Sequence, residues 1–160
     1  MNNHPRLISL LALGLGCAAI APAQLASRKA LTLDAAKRIA AAAEAEAVKN
    51  KWNVVIAIVD EGANLLYLQR MDETQIGSIE VAIAKAQGAV KFKRPTKAME
   101  DALAGGRQAI LRLPGAMPVE GGIPLAADGR IIGAIGVSGV TSQQDAQIAG
   151  AGVAALAEMK

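Results

Sequence analysis

The sequence predicts an α+β domain in which an antiparallel β-sheet of about five strands is packed with α-helices. Three observations predict it. Apolar residues recur at helical spacing in three stretches, from Leu33, from Ser78 and from Ser142. Two pairs of short β-rich runs are each joined by a tight turn, Glu61-Gly62-Ala63-Asn64 in the first and Asp128-Gly129 in the second. The order helix, hairpin, helices, hairpin, helix keeps each strand beside its chain neighbour, which is the arrangement of an antiparallel sheet covered by helices. A chain of 160 residues has room for one such core, and it contains no repeat, low-complexity tract or linker.

The N-terminus reads as a targeting segment. Arg6 supplies a positive start, Leu7 to Ile20 an apolar run, and Ala21-Pro22-Ala23 a small-residue cleavage site. The apolar run is shorter than the roughly 20 residues that span a bilayer. A lipid anchor on Cys17 fits poorly, because Gly14 stands where such sites favour leucine. Residues 1–23 are therefore expected to be a signal peptide, 24–30 a flexible leader and 31–160 a single domain. The expected location is periplasmic or secreted, with no stable membrane insertion after cleavage. Cleavage would remove His4 and Cys17, the only histidine and the only cysteine. The remaining chain could form no disulfide, no cysteine–histidine pair, no histidine-dependent serine triad and no ordinary zinc site.

Thr32 is placed to cap a helix from Leu33 to Lys49, with Asp34 in its first turn. Leu33, Ala36, Ile39, Ala40, Ala43 and Ala47 form its expected buried stripe. Asn53 to Asp60 is β-branched and reads as a buried strand, and Leu65 to Arg70 as its return. Ser78 to Lys93 is helical and Pro95 ends it. Thr96 is expected to cap a short successor that reaches Leu103 and stops at Gly105-Gly106. Arg107 to Val119 is broken by Pro114, Gly115 and Pro118, and its Leu111, Leu113 and Met117 suggest a loop packed down. The Asp128-Gly129 hairpin follows. Gly133 and Gly136, inside its second arm, imply close approach by another backbone or a ligand. A last helix runs from Ser142 to Met159.

Composition excludes some functions. Trp52, Tyr67 and Phe92 are the only aromatics, too few for a single-strand stacking platform. The net charge of +3 comes from basic residues dispersed among acidic ones, so no nucleic-acid partner is expected. Neither glycine run matches a nucleotide-binding fingerprint.

The run Gly121-Gly122-Ile123-Pro124 through Asp128-Gly129 to Gly136-Val137-Ser138-Gly139 resembles the GlcG/HbpS-like proteins, also found as the C-terminal domain of PduO-type proteins. The likeness extends upstream through Val59-Asp60-Glu61-Gly62-Ala63-Asn64-Leu65, Gln69-Arg70-Met71-Asp72 and Ala84-Lys85-Ala86, and covers Leu31 to the C-terminus. It implies the same α+β fold, a homo-oligomer and haem as cofactor. One departure bears on the iron. Many relatives read Gly-Gly-His where this chain has Gly62-Ala63-Asn64, and asparagine is a poor haem ligand, so ligation through that position is lost.

Several residues carry two readings each. Arg70 either fastens a loop with Asp72 or holds a carboxylate in its fork of donors. Lys85 either snorkels to solvent or binds a ligand. Phe92, Lys93, Thr96 and Met99 either pack the helix break or form the edge of a flat amphiphilic ligand. Gly121 and Gly122 either serve a tight chain path and subunit packing or offer backbone N–H groups to an anion. Thr96, Met99 and Tyr67 are the weak axial candidates for haem iron, by their O and S donors. The expected function is exported haem binding, for storage, relay or sensing. The alternative is a binding or accessory protein for a small organic acid in a catabolic pathway. An enzyme is the least favoured reading, because no histidine or cysteine would remain.

Overall fold

The computed structural model describes residues 24–159; the expected signal peptide, with His4 and Cys17, lies outside the described residues. Helix α1 spans Leu33–Asn50 and is followed by β1 (Val55–Asp60) and β2 (Leu65–Arg70). Helices α2 (Ser78–Phe92) and α3 (Thr96–Ala104) come next, then a 3-10 turn over Gln108–Arg112. Strands β3 (Gly122–Ala127) and β4 (Arg130–Ser138) lead into α4 (Ser142–Ala157).

The four strands form one antiparallel sheet in the order β2-β1-β4-β3. The expectation of about five strands is thus corrected to four. Residues 107–121 supply no fifth strand, because they hold the 3-10 turn, two prolines and Gly115 at φ +78°. The Asp128-Gly129 turn has φ +50° and +73°, the pair of left-handed positions that a two-residue hairpin needs.

The two sheet faces differ in side-chain size, and that difference sorts the helices. Ile56, Ile58, Ile135 and Val137 point to one side, where they meet Ile39 and Ala43 of α1 and Ile148 and Ala149 of α4. Val55, Ala57, Val59 and Ala134 point to the other, against Ala82, Ala86 and Ala89 of α2. Alanine and glycine on that second face let α2 sit with its backbone nearly on the sheet. A Cβ at Gly136 would lie 2.1 Å from the Ala82 carbonyl oxygen and 2.5 Å from the Ala86 nitrogen. One at Gly133 would lie 2.4 Å from the Val59 carbonyl oxygen. The two strand glycines therefore answer to backbone neighbours of the same chain.

Thr32 caps α1, its hydroxyl accepting from the Ala35 N–H, and Thr141 with Gln144 makes a capping box at α4. Three local expectations are corrected. Leu33 is exposed, because it lies a turn ahead of the stripe that begins at Ala36. Pro95, not Thr96, is the N-cap of α3, so Thr96 is already a helical residue and its hydroxyl is directed elsewhere. Leu111 and Leu113 stand in solvent, while Ile110 is buried and Met117 packs on α2 beside Gly88.

Candidate functional site

Lys85 is the largest fully buried side chain of the described residues. It leaves the middle of α2 and passes the start of β3. Its Nζ donates to Asp145 Oδ2 at 2.7 Å and to the Val137 carbonyl oxygen at 3.0 Å. Val137 is one residue beyond the Gly122–Gly136 pairing where β3 begins; its N–H donates to the Gly121 carbonyl oxygen at 3.0 Å while its own carbonyl oxygen accepts from the ammonium. Asp145, in the first turn of α4, also accepts from the Val140 N–H at 3.2 Å. Burial pushes the Asp145 carboxyl above its ordinary value, and hydrogen bonding and charge from Lys85 pull it back. The two side chains form a buried pair, each the other's only salt-bridge partner among the described residues.

The glycine pair makes room for this node. A Cβ on Gly121, at φ +122°, would stand 2.8 Å from Lys85 Nζ and 2.9 Å from Asp145 Cβ. Gly122 is pressed against the Lys85 carbonyl and Thr96 Cγ2, and its N–H donates to Thr96 Oγ1 at 2.9 Å. Lys85, Thr96, Gly121 and Gly122 are thereby joined in one buried structural cluster. Asp145 completes it and was not singled out from the sequence. The available signal was that Asp145 is the only charged residue of α4, as Lys85 is the only one in the middle of α2.

The other named residues lie apart. Arg70 is exposed at the end of β2, and among the described residues it forms no ion pair with Asp72. It pairs in register with Val55, which pairs with Ser138, whose hydroxyl is 3.3 Å from that of Ser78 at the start of α2. Phe92 and Lys93 are at the opposite end of that helix, about 22 Å away for fifteen residues. Met99 is buried, Phe92 half-buried and Lys93 exposed as the left-handed C-cap of α2. Tyr67 is half-buried with its hydroxyl donating to Gln69 Oε1. Asn64 donates to the Asp60 carboxylate at 3.1 and 3.2 Å. Asp60 also accepts the Asn64 and Gly62 N–H groups, which hold its carboxyl below the ordinary value.

Beside the C-terminal end of α2 lies a cleft of about 1010 Å³. The turn after β1, the Asp128-Gly129 turn and the leader wall it in. Its floor is aliphatic, from Val90, Ile131 and Ile132. Arg28, Lys29, Lys93 and Arg130 stand around it with Glu61 and Asp128, and Lys29 pairs with Asp128 at 3.0 Å. Of these, only Lys93 was a candidate binding residue in the sequence; Glu61 and Asp128 were read as turn residues. The rest come together through hairpin tips that are distant in the chain.

The family model for "Haem degrading protein HbpS-like" matches residues 31–154. Protein GlcG of Escherichia coli (strain K12) is 42% identical over 108 residues, which are 68% of this chain and 81% of that protein. The crystal structure of Klebsiella pneumoniae protein ORFY superposes with a TM-score of 0.80 at 30% identity, covering 88% of this chain and 100% of that one. The crystal structure of a PduOC:haem complex superposes at 0.74 with 31% identity, covering 79% of this chain and 95% of that one.

Proposed function

The chain belongs to the HbpS-like family, and from that premise we propose that it is an exported haem-binding protein that stores, relays or senses haem. The observation that carries the reading is the likeness, at 31% identity, to a protein solved with haem. The Arg6 to Ala23 pattern supports export, and mature protein beginning at Gln24 is the expected result of N-terminal sequencing. Homo-oligomerisation belongs to the same reading.

The donor set constrains how haem could be held. Residues 24–160 contain no imidazole and no thiolate. Thr96 and Met99 are buried, the Thr96 hydroxyl is engaged by Gly122, and the Tyr67 hydroxyl is engaged by Gln69. None of the three axial candidates therefore fits as a firm ligand to iron. Haem would be held through its apolar ring and its propionates, with the iron open to exogenous ligands. Haem titration of the purified protein tests this. A saturable Soret change, and a spectrum that shifts on adding free imidazole, are expected. Absence of saturable binding would overturn the haem reading. A strongly low-spin spectrum indifferent to imidazole would overturn the open-iron account.

A further inference from the structure

We propose that the cleft between the two hairpin tips binds a small organic dianion, a dicarboxylic acid with a hydrocarbon body. This is independent of haem binding. Four cations against two carboxylates leave the cleft a net charge of +2, where the whole chain has +3. The Lys29–Asp128 pair spends one charge of each sign on fastening the leader to the β3–β4 turn. Among the described residues Arg28, Lys93 and Arg130 have no acidic partner. Arg28, Lys93 and Arg130 then face the single carboxylate of Glu61, an excess of two positive charges around one concavity, and a bound dianion offsets it. The end of α2 adds partial negative charge from its last carbonyls, which the Lys93 and Arg94 N–H groups and the Lys93 ammonium offset.

The floor selects the rest of the ligand. Val90 and Ile132 are nearly buried, and Ile131 is half-buried. An inorganic ion would meet the rim and leave this aliphatic surface uncovered. A nucleotide would find no aromatic side chain in the lining. A short carbon chain with a carboxylate at each end suits an aliphatic floor and meets more than one of the cations around it. The Arg28 and Arg130 guanidinium forks suit carboxylate in particular.

Glutarate is the probe. Its binding to the purified protein is read by calorimetry and by thermal shift, against sodium chloride at matched ionic strength. A saturable glutarate effect beyond that of the salt is expected. Arg130→Glu and Lys93→Glu, both at exposed side chains, should each weaken it about tenfold or more, the loss of one charge-assisted contact. Lys37→Glu, on the exposed face of α1, makes the same charge reversal elsewhere and should leave binding intact. Glutarate and chloride giving one curve would overturn the proposal. So would Arg130→Glu and Lys93→Glu binding as the parent does, or Lys37→Glu weakening binding as much as they do.

Discussion

Lys85 and Asp145 hold each other at 2.7 Å where water does not reach, with their side chains only 2% and 3% exposed. Removing one partner of such a pair leaves an uncompensated buried charge, typically costing about 3–5 kcal/mol. Asp145→Ala is therefore expected to lower stability by that order in urea unfolding. Replacing both, with Lys85→Met and Asp145→Leu, should cost less than Asp145→Ala alone, since neither charge is then stranded. Asp60 is the opposite case, a carboxylate near the surface with its N–H donors in place. Its depressed folded value makes its contribution full above the ordinary carboxylate range and lost as pH falls through the folded value. Asp60→Asn should cost about 1 kcal/mol at neutral pH. The gap from the parent in thermal melts should close below about pH 4. Lys85 could be noticed in the sequence as a cation in an alanine-rich helix. Asp145 carried a comparable signal as the only charged residue of α4, but their pairing carried none, because sixty residues separate the two.

At the scale of elements, the seating of α2 on the sheet depends on missing side chains. Gly136→Ala would force a methyl into the Ala82 and Ala86 backbone and lift the helix. The expected loss is at least about 3 kcal/mol, the upper end for overpacking, because backbone gives way less readily than side chains. Gly129→Ala, with nothing within 4 Å, meets only left-handed strain and should cost about 1 kcal/mol. Equal losses in denaturant titrations would contradict this account. Element positions were largely legible: α1, β2, α2 and the Asp128-Gly129 hairpin fall where periodicity and turn residues place them. The strand glycines told that something approaches closely, but not what. A glycine specifies the room it leaves, and its neighbour lies in another part of the chain.

For the whole molecule, the order of elements indicated a sheet covered by helices, while the assignment of helices to faces required the contrast between isoleucine on one side and alanine on the other. The hairpin-tip cleft was not legible, because Arg28, Val90 and Arg130 share no local pattern. The alanine- and glycine-rich side of α4 is partly used within the chain: Gly152 meets Ile39 of α1. The outer edge of β2 is a better place for a second copy. Among the described residues no strand lies beyond it, Leu65 is 50% exposed, and Leu66, Tyr67 and Leu68 are half-buried. Light scattering is expected to give a multiple of the 16.3 kDa chain mass, or of the processed chain if the signal is cleaved. Leu65→Glu should shift the population toward monomer. Monomer alone at micromolar concentration would contradict this.

Because Lys85 is sealed under β3 while the other described lysines keep solvent access, the protein contains its own chemical reporter of opening. An amine-reactive reagent should modify the surface lysines at once and reach Lys85 only when the α2–α4 node separates. Mass-spectrometric labelling of that one amine would then measure how often the native molecule opens, without denaturant.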